Sequence, residues 1–288
     1  MNSKKQNLCF KQFHNIHEGE TIFIIGNGPS LSETDLSLIE KFPSIAMNRI
    51  SLLYSKYKNW RPKYYIFCST NIFNPIWGME WSKSVREAIE EQKTKSFIDE
   101  RSFSYLFKGN ISKSRNIHIM KNLTENKPNK EGDINSKSFS TNILNSIDKS
   151  GSTINVALQI AYFMGAARII FLGTDLGWTA NNGKRKDQNH FDKSYRAHIP
   201  DPIKANRQMR NVHLLAKKTF NKNKPNVDLY NASKYSKLDI YPFIDFEEFA
   251  RNGKIIIDLE KSKLAETFWK NIKTGNRYLI KFRRLIYR

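Results

Sequence analysis

The stretch Thr21–Leu31 (TIFIIGNGPSL) determines how the rest of the chain is interpreted. Its first part, Ile22–Ile25, is a short run of β-branched and aromatic residues, which is typical of a strand buried on both faces. The run leads into Gly26–Ser30 (GNGPS), where glycine permits a tight turn and proline suits a first helical turn. Ser30 and Glu33 have the spacing of a capping box. The stretch therefore predicts a strand, a glycine turn and a helix N-terminus.

A glycine turn before a helix N-terminus suits an anion, most often a phosphate, because free N–H groups and the helix dipole point at it. The alternative is an ordinary β–α turn. The dinucleotide motif G-x-G-x-x-G would need glycine where Leu31 stands, and no Gly-Lys-Ser/Thr follows as in a P-loop. The candidates for contacting a phosphate or nucleotide are Gly26, Asn27, Gly28 and Ser30.

The composition favours an anionic partner. The 288 residues contain 48 Lys and Arg against 27 Asp and Glu, which gives a net charge of +21. Such a chain attracts nucleic acid, an anionic membrane surface or phosphorylated substrates.

Cys9 and Cys68 match no metal or redox spacing and fit a reducing compartment. No signal peptide and no bilayer-spanning apolar run is recognisable, so we expect a soluble or peripheral cytoplasmic protein.

The alternation of strands and helices predicts an α/β, Rossmann-like, doubly wound fold with a mainly parallel sheet. Residues 1–258 are predicted to form the catalytic domain, with a polar arm at 1–20, a long insertion at 108–138 and a lid-like loop at about 176–202. Besides β-strand 22–25, strands are predicted at 44–47, 64–68, 95–99, 169–172 and 226–230, and helices at 33–41, 81–93, 152–164 and 203–220.

Polar residues follow several of these strands. Ligands of open α/β sheets bind beyond the carboxyl ends of the strands, so side chains at those ends are candidate contacts. Asn48 could contact a base or sugar, or close a turn. Asp175 could contact a ribose, position a loop, or cap a helix. The other candidates at strand ends and at the head of the following helix are Ser69, Asn71, Ser152, Thr153 and Gly173.

The loop at 181–202 contains His190, Tyr195 and His198. A polar loop beyond the edge of a central strand is a common place for catalytic groups, and histidine is the usual general base near neutral pH. The alternative is that one or both histidines lie on the surface without a catalytic role.

The order of these motifs resembles the bacterial lipooligosaccharide sialyltransferases over roughly residues 21–233. The shared features are GNGPSL after an apolar strand, a second strand ending in Asn, and a Ser/Thr-headed helix leading into a strand and Gly-x-Asp. The segment SxxNVALQIAYFMG…IIFLGTD resembles still more closely a broad group of surface-polysaccharide proteins, often labelled pterin diphosphokinase-like (DUF115-type).

The first resemblance implies a donor site for CMP-sialic acid. By that resemblance Asn27, Gly28 and Asn48 hold the CMP part, Ser69 replaces a family Asn with Asn71 nearby, and Ser152-Thr153 contact the donor. The paired histidines of the family correspond to His190 and His198, with the second as general base. Trp178 and Tyr195 are rough substitutes for two tyrosines that stabilise the departing phosphate.

The leading hypothesis is an inverting, metal-independent glycosyltransferase that transfers sialic acid, or a related sugar, from a CMP-sugar to a cell-surface lipooligosaccharide or polysaccharide. The nucleotide sugar is a substrate, no cofactor is expected, and no Asp-x-Asp motif is present. The alternative is Mg²⁺-dependent diphosphate transfer from ATP to a hydroxymethylpterin, with Asp175, Asp187 and Asp192 as possible ligands. A non-catalytic nucleic-acid binder is suggested by charge alone, without a supporting motif.

Residues 259–288 are predicted to form a basic, amphipathic helical tail. Apolar residues from Trp269 to Ile286 alternate with Lys281, Arg283, Arg284 and Arg288. Such a helix lies on an anionic membrane, or docks on the domain with its charges in water. We expect membrane contact at the inner face of the cytoplasmic membrane, and a homo-oligomer is compatible with the sequence.

Overall fold

The computed structural model describes residues 10–91, 93–107, 116–126, 129, 133–182, 186–199 and 201–273. Four predictions therefore lie partly outside the described residues: the N-terminal arm before residue 10, the insertion at 108–138, the lid-like loop at 183–185 and 200, and the tail beyond residue 273.

Eleven strands are present in this part of the chain. They are β1 (Thr21–Ile25), β2 (Ser44–Met47), β3 (Tyr64–Phe67), β4 (Lys95–Asp99), β5 (Ile117–Met120), β6 (Leu123–Thr124), β7 (Ile147–Asp148), β8 (Arg168–Leu172), β9 (Asn181–Asn182), β10 (His198–Ile199) and β11 (Asp228–Asn231). Seven of them form one sheet in the order β11-β8-β1-β2-β3-β4-β5, and every pairing in it is parallel.

The path of the chain creates a switch point beside β1. From β1 the chain proceeds outward through β2 to β5, and it then returns to place β8 and β11 on the other side of β1. Ile25 at the end of β1 is in register with Ala46 of β2 and with Leu172 of β8. A crevice opens at the carboxyl ends of parallel strands where the strand order reverses, which is where such folds bind ligands.

Both faces of the sheet are covered by helices. The helices are α1 (Gly78–Glu90), α2 (Glu100–Phe107), α3 (Thr153–Phe163), α4 (Pro202–Asn223), α5 (Phe246–Asn252) and α6 (Leu259–Lys273). Successive strand residues point to opposite faces, so Ile22 and Ile24 pack with α3 and α4, whereas Phe23 and Ile25 pack with α1, α2 and α5. The predicted Rossmann-like α/β fold with a parallel sheet is therefore confirmed.

The predicted helix at 33–41 and its capping box are wrong. The connection from β1 to β2 forms two short 3-10 turns, Pro29–Glu33 and Leu36–Ile39. The hydroxyl of Ser30 donates to Asp175 instead of capping a helix, and Glu33 accepts hydrogen bonds from Lys234 and Tyr235. The partners that override the local pattern lie far away in the sequence, where a capping rule cannot detect them.

The described part of the C-terminal tail is a docked helix. Ala265 and Trp269 of α6 are buried, whereas Leu259 and Leu264 on the same helix are 67% and 63% exposed. Docking was one of the two alternatives for this segment, and membrane contact by the residues after 273 stays a prediction. None of the helices in the described ranges is both long and apolar enough to cross a bilayer.

Candidate functional site

A cavity of about 470 Å³ lies at the carboxyl edge of the sheet, at the switch point between β1 and β8. Its size is within the usual range for small-molecule sites. Every predicted site residue except Ser30 lines it: Gly26, Asn27, Gly28, Asn48, Ser69, Asn71, Ser152, Thr153, Gly173, Asp175, Trp178, His190, Tyr195 and His198. Residues from six separate parts of the chain therefore meet in one place.

The glycine turn is held to the exit of β8 by hydrogen bonds. The Gly28 N–H donates to the Gly173 carbonyl at 2.7 Å. The backbone N–H and the hydroxyl of Ser30 both donate to the Asp175 carboxylate at 2.6 Å. We refer to this pair as the Ser30–Asp175 clamp. Because these N–H groups are already engaged, the turn resembles the alternative, an ordinary β–α turn, more than an open phosphate cradle. Asp175 positions the two loops, which was one of its predicted roles, instead of capping a helix.

The glycines allow this close approach of the two loops. A Cβ atom added at Gly28 would lie 2.4 Å from Asp175 Oδ2 and 2.8 Å from the Gly173 carbonyl oxygen, and one added at Gly26 would lie 2.5 Å from that same oxygen. The two glycines thus serve loop packing beneath the cavity. Asn27 between them lines the cavity, and its buried Oδ1 has no hydrogen-bond partner in the described part of the chain.

The N-terminus of α3 forms a second wall. Ser152 is the N-cap of α3 and accepts from the Ile154 N–H at 3.2 Å, while its hydroxyl donates to Met209 Sδ at 3.0 Å. The Thr153 hydroxyl donates to Asn48 Oδ1 at 3.3 Å. Asn48 adopts a left-handed backbone with φ of 57°, a conformation that asparagine tolerates better than most residues. Thr153 therefore joins the helix N-terminus to the end of β2.

The loop at 186–199 is held over the carboxyl edge of the sheet by Arg49, a residue whose role was not predicted from the sequence. The guanidinium of buried Arg49 donates to the backbone carbonyls of Ser194 at 2.8 Å and Tyr195 at 2.7 Å. The Trp81 indole donates to the Arg196 carbonyl at 2.9 Å, and the Phe191 N–H donates to the Asn27 carbonyl at 3.0 Å. The signal in the sequence is a cation immediately after a strand-terminating Asn.

His190 is held between a carboxylate and an aromatic ring. Its Nδ1 lies 3.0 Å from Asp187 Oδ2, and its imidazole stacks on the Tyr195 ring at a centroid distance of 3.9 Å and an angle of 5°. Burial acts to raise the pKa of Asp187, but the hydrogen bond and charge of His190 and the N–H groups of Asn189 and Ala197 outweigh it and lower that pKa. Asp187 is therefore an ionised carboxylate that orients His190 toward the cavity.

His198 occupies a different environment in the same cavity. It lies on β10, which pairs antiparallel with β9, and its side chain is exposed. The predicted pair of histidines thus lines one cavity, with His190 half-buried against Asp187 and His198 exposed. Burial raises the pKa of the Tyr195 phenol, whose ring stacks on His190, so this group stays protonated.

The three carboxylates considered as Mg²⁺ ligands each interact with a different partner within the protein. Asp175 belongs to the clamp, Asp187 faces His190, and Asp192 accepts from the N–H and the hydroxyl of Ser194 at 2.7 and 2.6 Å. Among the residues with described positions, no group of three or more His, Cys, Asp or Glu side chains is arranged to hold a metal ion.

No family model matches the chain, and no curated protein matches it at a significant level. Two solved structures are similar. The sialyltransferase CstII from Campylobacter jejuni, in complex with cytidine-5'-monophosphate, is 18% identical, with 88% of this chain and 99% of that chain covered and a TM-score of 0.44. A single-residue variant of sialyltransferase Cst-II with CMP is 14% identical, with 74% and 80% covered and a TM-score of 0.37. At these values the likeness concerns the fold alone.

We predict that Gly28→Ala destabilises the fold as well as the cavity, because the new methyl group overlaps Asp175 and the Gly173 carbonyl. Overpacking of this kind typically costs about 1–3 kcal/mol. Since Gly28 has a φ of −69°, backbone strain does not contribute. Urea unfolding measures the loss, with Ser32→Ala in the same turn as the control. A wild-type midpoint for Gly28→Ala would show that the two loops separate without cost.

Proposed function

We propose that this protein is a glycosyltransferase that uses a nucleotide-sugar donor, with CMP-sialic acid or a related CMP-sugar as the favoured donor. The observation that carries the proposal is the pairing of cavity-lining His190 with buried Asp187, in a cavity whose lining is rich in polar side chains. A histidine oriented by a carboxylate is equipped to remove a proton from a hydroxyl group. The CMP bound to the structurally similar sialyltransferases agrees with the proposed donor without establishing it.

The walls of the cavity suit the parts of a nucleotide. The unpaired Oδ1 of Asn27 and the amide of Asn48 can hydrogen-bond a base or ribose. The N-terminus of α3, with Ser152 and Thr153, presents the positive end of an 11-residue helix to the cavity. A phosphate is stabilised at such a position, and Lys149 on the same wall adds a positive charge.

In the proposed reaction His190 is the general base. It takes the proton of the acceptor hydroxyl as that oxygen bonds to the anomeric carbon from the face opposite the leaving nucleotide. The bond from the anomeric carbon to the phosphate oxygen breaks, its electron pair leaves with CMP, and the configuration at the anomeric carbon inverts. Asp187 stabilises the imidazolium that forms. The geometry thus favours His190 over the predicted base His198, which we place at the rim in contact with substrate.

The other two hypotheses have less support. Diphosphate transfer from ATP needs Mg²⁺ held by carboxylates, and Asp175, Asp187 and Asp192 are each committed to other partners. Nucleic-acid binding rests on the net charge of +21 alone.

We further propose that the acceptor is a cell-surface glycan or glycolipid precursor, met at the inner face of the cytoplasmic membrane. The support is the basic, amphipathic sequence of residues 274–288. The docked helix α6 lies near the cavity, since the Phe268 ring is close to Gly177, which precedes cavity-lining Trp178.

The first test is donor binding. A ligand that binds only the folded state raises the melting temperature. We expect CMP to raise it without Mg²⁺, and ATP with Mg²⁺ to leave it near the value of the free protein. A shift that requires ATP and Mg²⁺ would favour diphosphate transfer and would contradict the proposed donor.

The second test separates the two histidines. His190→Ala is expected to lower kcat by about 10²- to 10⁴-fold, the usual contribution of a general base, with donor affinity nearly unchanged. Asp187→Asn should lower kcat in the same direction. His198→Ala is the matched comparison and should retain more turnover than His190→Ala. If His198→Ala loses turnover and His190→Ala keeps it, the roles are exchanged. If both variants are fully active, the histidine mechanism is wrong.

The third test concerns the tail. Removing residues 279–288 takes away Arg283, Arg284 and Arg288, and each basic residue near an anionic bilayer contributes about 1 kcal/mol of attraction. We therefore expect the shortened protein to sediment much less with phosphatidylglycerol vesicles, while activity on a soluble acceptor persists. Phosphatidylcholine vesicles are the control. Equal sedimentation of both proteins with the anionic vesicles would rule out membrane binding by these residues.

A further inference from the structure

Trp269 connects the C-terminal helix to the domain. It is 5% exposed, although Leu264 on the same helix is largely in solvent. Its indole Nε1 donates to the Lys237 carbonyl at 2.6 Å, and the Arg210 guanidinium lies 5.1 Å from the centre of its ring. Arg210 is itself fixed by two 2.8 Å hydrogen bonds to Asp239. Trp269 therefore contacts two separate parts of the domain with defined geometry.

The first of these parts is the segment 233–238, which braces the exit of β8. The Lys237 N–H donates to the Asp175 carbonyl at 2.5 Å. The Ser236 hydroxyl donates to the Thr174 carbonyl at 2.7 Å, and the Thr174 N–H donates to Ser233 Oγ at 3.0 Å. The turn at 173–175 is thus held on one side by this segment and on the other by the glycine turn.

The second part is α4, which forms a wall of the cavity. Lys204, Gln208 and Met209 line the cavity, and Arg210 is the next residue along the helix. A side chain that contacts both Arg210 and Lys237 spans the gap between α4 and the segment 233–238.

These contacts form a continuous path to the floor of the cavity. It runs from the Trp269 indole through Lys237 to Asp175, and the Asp175 carboxylate accepts from Ser30 in the glycine turn. Packed side chains and hydrogen bonds of this kind transmit a change at one end to the other. The hydrogen bond and ring contacts described for Trp269 involve Lys237, Arg210 and Phe268, which do not line the cavity.

We propose that Trp269 is a positioning residue for the nucleotide cavity: by bracing Lys237 and Arg210 it keeps the turn at 173–175, and with it the glycine turn, in the binding geometry. The nucleotide part of this inference rests on the proposed function. The inference that Trp269 braces the two turns does not rest on the proposed function.

The experiment uses Trp269→Phe in the full chain, which keeps an aromatic ring but removes the indole N–H. Leu264→Ala is the control, because it removes an exposed apolar side chain from the same helix. Hydrogen exchange is measured on peptides covering 26–31, 173–178 and, as a distant reference, 95–99. CMP affinity is measured by calorimetry at 25 °C. The melting temperature is recorded for each variant.

For Trp269→Phe we expect faster exchange at 26–31 and 173–178 with no change at 95–99, and CMP affinity about 3- to 10-fold weaker, the range for losing one hydrogen bond. Leu264→Ala should match the wild type in both measurements. Wild-type exchange in the two turns, or an equal increase in all three peptides, would overturn the proposal, because the latter would indicate general destabilisation. If the wild-type protein does not bind CMP, the proposed donor fails, and the exchange measurement still decides the role of Trp269.

Discussion

The hydrogen bonds from Ser30 to the Asp175 carboxylate are the interaction on which the site depends. They join the loop after β1 to the loop after β8, the two strands that flank the switch point of the sheet. A carboxylate that accepts both a backbone N–H and a hydroxyl in a buried environment makes strong bonds, and leaving it without them would be costly. The absence of side chains at Gly26 and Gly28 allows the loops to meet. The floor of the cavity is thus a product of chain packing and exists before any ligand arrives.

The other walls of the cavity are also held in place by hydrogen bonds between distant parts of the chain. Thr153 joins α3 to Asn48, and Arg49 holds the loop that carries His190 and Tyr195. The histidines of the proposed mechanism therefore lie on a loop, but the position of that loop is set by contacts with rigid elements. This division is common in α/β proteins, where a parallel sheet supplies the frame and the loops at its carboxyl edge supply the functional groups.

The sequence was sufficient to predict the parallel sheet and the collection of polar residues at its edge. Buried parallel strands have a distinctive apolar pattern, and their carboxyl ends must lie at the same edge of the sheet. For this reason the predicted positions of Asn48, Ser69 and Gly173 at that edge agree with the structure. The prediction from sequence failed where a residue forms its hydrogen bonds with a partner that is far away in the sequence. Ser30 fits a local capping rule, yet its partner is 145 positions away. A cation after a strand-terminating Asn does not by itself indicate that the Arg49 guanidinium is buried, and no local pattern marks Asp187 as the partner of His190. Their roles therefore required the three-dimensional arrangement.

The position of β8 next to β1 has a consequence for how this chain folds during synthesis. β1 is a central strand whose second neighbour begins at Arg168, after β2 to β5 have already been made. Until then the apolar strand TIFII is the edge of an incomplete sheet, with backbone groups free to pair with another chain. Long-range parallel pairing is slow to form. Pairing with β8 covers this edge of β1, and the same pairing brings the loops after the two strands together to form the floor of the cavity.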